Sequence, residues 1–174
     1  MDQPNPGIPT LETERVIMRG FRGEDLDAYL AWASDPEVMR FVGGTATRDQ
    51  AWRTLALYLG HWQLRGYGLW ACERKSDGQL IGRVGLWNPE GWPGVEVGWT
   101  LAREAWGQGY ARECGAASLA WGWENLPDTE RIVSVIDPAN VASIHVAERL
   151  GMTVLGPWRL GETETLLYHL NRPA

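Results

Sequence analysis

Hydrophobic and polar positions change period repeatedly along the chain. Leu11 to Arg19 alternates as a strand, and Leu26, Tyr29 and Leu30 then recur at helical spacing within Asp25 to Ala33. Asp35-Pro36 stops that helix and opens a short turn. Thr47, with Gln50 three residues on, has the form of a capping box. After it Trp52, Leu55, Leu59 and Trp62 share one helical face up to the Arg65-Gly66 stop. Residues 67 to 74 and 79 to 87 read as strands joined by Lys75-Ser76-Asp77-Gly78, whose Asp-Gly pair favours a hairpin. A loop of Pro, Gly and Trp92 spans 89 to 94 and leads into the strand 95 to 101. Further strands are expected at 131 to 136, 153 to 160 and 164 to 170, the last two separated by Gly161.

Between the strand ending at Leu101 and the next helical pattern stands Trp106-Gly107-Gln108-Gly109-Tyr110-Ala111. Two glycines one residue apart let the backbone approach a ligand closely, and the N–H groups opening a helix have no partner inside it. With the helix dipole, those donors favour a bound pyrophosphate. A dinucleotide fingerprint would need a third glycine where Arg112 sits, and a nucleotide-triphosphate loop would need Gly-Lys-Ser/Thr, which the chain lacks. A tight turn capping a helix is the plainer alternative for these six residues.

A second motif shifts the balance between them. Asn140-Val141-Ala142-Ser143, running to Leu150-Gly151-Met152, follows the apolar strand 131 to 136 and the breaker Asp137-Pro138. With the glycine motif it resembles the GNAT N-acetyltransferase family, whose members move an acetyl group from acetyl-coenzyme A to an amine. The Trp-Gly-x-Gly-Tyr-Ala at 106 to 111, the opening Leu11-Glu12-Thr13-Glu14-Arg15 and the Asp35-Pro36-Glu37-Val38 segment resemble the ribosomal-protein N-terminal acetyltransferase branch. The resemblance covers about residues 10 to 171. It implies an α/β (α+β) domain, with a mixed, mainly antiparallel central sheet and helices on both faces. The helix opened by Thr47 would wall the acceptor side.

Composition agrees with one enzyme domain at 10 to 174, preceded by a Pro-rich, flexible segment at 1 to 9. A net charge of −6 argues against sequence-independent nucleic-acid binding and suits a cationic acceptor. Cys72 and Cys114 lack metal-ligand spacing and a disulfide framework, which fits a reducing cytoplasm. Neither a signal peptide nor an apolar run of membrane-spanning length is present. His61, His145 and His169 share no ligand spacing, so no metal is expected, and they read as surface or partly buried. Cys114 lies in an apolar helical stripe and reads as a core thiol rather than a nucleophile.

An alkyl ammonium has no lone pair, so a base must take its proton before it attacks a thioester. Glu96, on the strand entering the cradle, is the candidate, and the resemblance implies a functional carboxylate there, acting directly or through water. A solvated or paired strand glutamate is the alternative. Gly98 suggests a bulge that splays its strand from 131 to 136 and frees a backbone N–H for the oxyanion, or else close packing against a helix.

Many relatives carry a tyrosine at the position of Ala147, so Ser143 is the candidate donor to the leaving thiolate. Asn140 offers a donor and an acceptor to the pantetheine amides. Both residues also suit a plain helix cap. Cofactor contact is expected at Leu101, Gly107, Gln108, Gly109, Tyr110, Ala111, Asn140 and Ser143. Arg103 and Arg112 flank the cradle, as phosphate ligands or as solvated charges.

Among eleven tryptophans, Trp87, Trp92 and Trp99 suggest an aromatic amine pocket, with core filling the alternative, and Trp106 is expected to pack behind the cradle. The resemblance implies an amine acceptor, a protein N-terminus being the expectation and a small amine such as an antibiotic or amino acid the alternative. A non-catalytic coenzyme A sensor is the remaining rival, kept open by the missing tyrosine. A homodimer stays open because Trp-rich surfaces can be core, pocket or interface.

Overall fold

The computed structural model describes residues 7–174, so residues 1 to 6 of the expected flexible segment lie outside the described residues. Attachment to the fold starts early: Ile8 packs against the core and the Pro9 carbonyl accepts the Trp70 indole N–H at 2.8 Å.

The chain runs β1 (Leu11–Glu12), β2 (Val16–Arg19), α1 (Leu26–Ala33), α2 (Pro36–Met39), α3 (Arg48–Arg65), β3 (Leu69–Arg74), β4 (Leu80–Trp87) and β5 (Glu96–Leu101). It continues through α4 (Tyr110–Asn125), β6 (Arg131–Ile136), α5 (Val141–Arg149), β7 (Thr153–Leu160) and β8 (Thr163–Asn171). The single early strand expected from alternation is instead a hairpin, β1 against β2. Thr13 makes the turn: its hydroxyl accepts the Val16 N–H at 3.0 Å, a local bond that competes with an extended ladder.

The α3 start holds, with the Thr47 N–H donating to Gln50 Oε1 at 2.9 Å, and Gly66 ends the helix in the left-handed region at φ 75°. Its buried stripe is rotated from the expected one. Ala51, Leu55, Tyr58, His61 and Trp62 face inward while Trp52 is 60% exposed, because Tyr58 and His61 bury rings that an apolar count passes over.

The eight strands form one sheet in the order β1-β2-β3-β4-β5-β6-β8-β7. All neighbours are antiparallel except β5 and β6, which are parallel. One core lies on each face. Val84, Leu86 and Val97 pack with Cys114, Leu119 and Ala147 from α4 and α5, and Leu69, Ala71 and Leu80 pack with Tyr29, Val38 and Tyr58 from α1 to α3. This is the α/β arrangement of a mainly antiparallel sheet covered on both sides. Among the described residues no helix is long and apolar enough to cross a membrane.

The parallel pair positions the site. β5 and β6 meet only at Glu96 opposite Val133 and diverge beyond it, leaving a fork in the middle of the sheet.

Candidate active site

The fork is open because, among the described residues, no strand pairs the second half of β5 on that side. The Ala102 N–H donates to Ile81, and antiparallel bonding alternates, so Thr100, Gly98 and Glu96 also turn their backbone groups to β4. The odd residues face β6, as the Val133 N–H bonding to the Val95 carbonyl at 2.9 Å confirms. The amides of Trp99 and Leu101 therefore point into the fork, while the Leu101 carbonyl takes the Trp106 indole N–H at 2.8 Å.

The expected bulge at Gly98 is absent: its pairing with Gly85 is in regular register. The splay arises instead from the end of pairing at Glu96. Gly98 does not serve helix packing either, since a Cβ there would meet only the Glu96 carboxyl carbon, at 4.0 Å. The missing side chain keeps the space beside that carboxylate open.

Glu96 sits in the crotch of the fork and is 8% exposed. Its Oε1 accepts the Val135 N–H at 2.9 Å, satisfying a β6 amide that the parting strands leave without a carbonyl, and its Oε2 accepts the Trp92 indole N–H. Burial pushes its pKa up to about 7, against the opposing pull of the Val135 and Trp92 bonds and the Arg83 charge. Each oxygen keeps a lone pair, so the carboxylate can still accept a proton. Its raised pKa means that the folded state binds the proton more tightly than the unfolded chain. Stability from this group is fully present below about pH 4.5 and falls as pH rises through about 7. Urea titrations of the native protein and Glu96→Gln should show the native protein losing stability relative to the variant across that window.

At the other end of β5, Gly107 (φ 70°) and Gly109 (φ 85°) hold left-handed conformations just ahead of α4. The first bond of the helix runs from the Glu113 N–H to the Gly109 carbonyl. The amides of Gln108, Gly109, Tyr110, Ala111 and Arg112 find no acceptor among the described residues. The Gln108 side chain is engaged with the Glu104 carbonyl, so this residue presents backbone rather than side chain.

Arg15, not singled out from the sequence as a site residue, braces the cradle. It pairs with Glu113, donates to the Gln108 carbonyl at 2.9 Å and lies 4.3 Å from the Tyr110 ring centre. Its signal was the opening Leu-Glu-Thr-Glu-Arg segment. Arg103 turns away from any phosphate site to pair with Asp35, the N-cap of α2, whereas Arg112 is exposed and free of ion pairs among the described residues.

α5 closes the opposite side. Asn140 Oδ1 accepts the Ser143 N–H at 3.2 Å, the cap geometry, which leaves its Nδ2 as a donor. Ser143 Oγ accepts the Trp99 indole N–H at 3.2 Å, so its own proton is available to a second acceptor. Ala147 is fully buried in the core under α5.

The three tryptophans do not form one cage. Strand alternation sends Trp99 to the α5 face, and Glu96 and Trp87 to the face of α1 and α3. Trp87 stacks on His61 with ring centres 4.3 Å apart, and Trp92 serves the Glu96 carboxylate. His61 is more buried than expected, held between the Tyr67 carbonyl and the Asn88 N–H, and burial lowers its pKa. Trp106 is 47% exposed rather than packed behind the cradle. Cys72 and Cys114 are buried free thiols, and no group of residues suited to a metal occurs among the described residues.

The chain matches the family model for the acetyltransferase (GNAT) domain over residues 15–153. It is 33% identical to the Bacillus subtilis protein YkkB over 82% of this chain and 84% of that one. It is 30% identical to the N-acetyltransferase p20 of Bacillus licheniformis over 82% of each chain. The crystal structure of an acetyltransferase from Agrobacterium tumefaciens superposes with a TM-score of 0.86 and 30% identity, over 98% of this chain and 99% of that one. The chain belongs to the GNAT family and is an acetyl-coenzyme A-dependent N-acetyltransferase.

Proposed function

We propose that this GNAT enzyme acetylates a primary amine by direct attack in a ternary complex, with Glu96 as the base. The observation that carries the reading is a buried carboxylate at the crotch of the fork, its proton affinity lifted to about pH 7, where a base both binds and releases a proton readily. Gly107 to Ala111 hold the pyrophosphate of acetyl-coenzyme A on unpaired amides, with Arg15 at the rim. The Leu101 amide and Asn140 Nδ2 would hold the pantetheine arm at the fork.

The acceptor approaches from the face of α1 and α3. Glu96 takes a proton from the ammonium, directly or through one water, and the freed lone pair attacks the thioester carbonyl. The Trp99 amide, facing the fork beside Gly98, donates to the developing oxyanion. Collapse breaks the carbon–sulfur bond; the nitrogen gives up its second proton to the Ser143 oxygen as the Ser143 hydroxyl passes its own proton to the departing thiolate, so that serine ends neutral with Trp99 Nε1 still bonded to its oxygen. No covalent enzyme intermediate is formed. Residues 10 to 174 act as one catalytic domain in this reading.

The resemblance of residues 11 to 15, 35 to 38 and 106 to 111 to the ribosomal-protein N-terminal acetyltransferases supports a protein N-terminus as acceptor, and small amines are the competing class. Coenzyme A release across N-terminal peptides and small amines tests this: turnover on peptides and not on free amines is expected, and the reverse selectivity would reassign the acceptor. Ser143→Ala should lower kcat about 10-fold with little change in melting temperature, because the cap depends on the Ser143 backbone and not its hydroxyl. Unchanged turnover at saturating acetyl-coenzyme A would reduce Ser143 to a packing residue.

A further inference from the structure

On the α1 and α3 face, β4 and β5 present three cross-strand rows: Trp87 with Glu96, Gly85 with Gly98, and Arg83 with Thr100. Successive rows lie roughly 7 Å apart along the strands. Tyr58 from α3 covers the Gly85 side of the middle row, its ring 5.7 Å from Trp87 and 5.3 Å from the Arg83 guanidinium. Above Gly98 the space is open up to the Glu96 carboxylate. A gap floored by glycine thus lies beside the base, and Arg83 and Thr100 form the next row on the same face.

Both groups of that row lack partners. No carboxylate or carbonyl engages the Arg83 guanidinium among the described residues, although the residue is half-buried beside Tyr58. Thr100, 6% exposed, has a buried hydroxyl with no hydrogen bond among the described residues. A buried hydroxyl left unpaired and an unpaired guanidinium opposite it are costly unless a bound group completes them. The local charges also differ from the net negative charge of the chain. One carboxylate and one guanidinium flank the gap, which matches a zwitterion, whereas a simple ammonium would meet an uncompensated Arg83.

We propose that Arg83 and Thr100 form an acceptor subsite for a carboxylate, so that the preferred amine carries an acidic group close to the nitrogen that is acetylated. The inference rests on the reading that this face receives the acceptor and Glu96 serves as its base. Arg83 offers a forked pair of N–H donors to the acceptor carboxylate, and the Thr100 hydroxyl donates a third bond. With the carboxylate so anchored, the ammonium is held over Gly98 within reach of Glu96. Arg83 is a specificity residue in this scheme and takes no part in the chemistry.

Matched acceptors test the subsite. One arm compares free α-amino acids with their α-amides, and the other compares peptides beginning with Asp or Glu with those beginning with Asn or Gln. In the native enzyme, kcat/KM should favour the carboxylate member about 10- to 100-fold in one arm, which identifies whether the acid is an α-carboxylate or a side chain. In Arg83→Gln that ratio, compared above the acid limb of each enzyme, should fall to within about 3-fold, through a raised KM for the carboxylate member. Thr100→Val should move it the same way by a smaller factor.

Removing the Arg83 charge also raises the acid limb of the pH profile for every acceptor, which a purely electrostatic role would produce as well; the ratio is the deciding readout. A ratio unchanged in Arg83→Gln, or a native preference for the amide in both arms, overturns the subsite. Should Arg83→Gln fail to fold, Arg83→Lys, which keeps the charge and loses the fork, must still reduce the ratio several-fold. The ratio remains measurable in the residual turnover of Glu96→Gln, so a wrong assignment of the base would leave it intact and is told apart from a wrong subsite.

Discussion

Gly109→Val should raise the dissociation constant for acetyl-coenzyme A about 100-fold or more in a protein that still folds. Gly109 holds φ at 85°, and a Cβ there would lie 3.5 Å from an Arg15 guanidinium nitrogen. A β-branched residue resists that conformation, so the loop relaxes and the amides leading into α4 lose their common aim. Losing two hydrogen bonds to a charged phosphate, at about 1.5 kcal/mol or more each, accounts for two decades of affinity. The strain of a left-handed residue, about 1–2 kcal/mol, is small beside the stability of a domain. The melting temperature should therefore fall by only about 2–8 °C. Calorimetry showing native affinity in a folded variant would remove the cradle from the account.

Glu96→Gln should lower turnover about 100-fold or more near neutral pH, the range of a general-base contribution, with cofactor affinity nearly unchanged. The amide can still accept the Val135 N–H, so the fork stays tied. It cannot accept the Trp92 indole N–H through its nitrogen, which loosens the loop before β5. Trp92→Phe separates the two effects: it removes that donor and keeps the base. Its turnover should stay within about 10-fold of native, since loss of a positioning bond costs less than loss of the proton acceptor.

Elements with strong local signals were legible in the sequence. Thr47 with Gln50, the Asp77-Gly78 turn, the glycines at 107 and 109 and the Asn140 cap each act through their own backbone, and each stands where its residue type demands. The half of the site proposed for the cofactor is built almost wholly from such signals. The acceptor half is not. Glu96 was identifiable as a carboxylate entering the fork, but its partners Val135 and Trp92 come from β6 and from a loop, and only the tertiary fold brings them together.

Trp99 with Ser143, and Arg15 with Glu113, are likewise contacts across long sequence separations. The bulge expected at Gly98 failed for a related reason: a glycine inside a strand signals space, and only the neighbouring strand shows whether the space lies in the backbone or beside a side chain. Arg83 carried no signal, because an arginine in an alternating strand reads as a solvated edge until its lack of a partner is seen.

The central claim is that Glu96 accepts the proton, and the pH dependence of kcat/KM tests it most directly, with an acceptor whose amine titrates well above the Glu96 range. Below its pKa the carboxyl group is already protonated and cannot act, so the native rate should rise with pH and break near pH 7, with a second break at the pKa of the amine. In Glu96→Gln the break near pH 7 should vanish, leaving only that of the amine, and the deficit should shrink at high pH, where solvent supplies more free amine. A folded Glu96→Gln protein that keeps the break near pH 7 and native rates on its best acceptor, with chemistry rate-limiting, would contradict the account and assign the proton to another group.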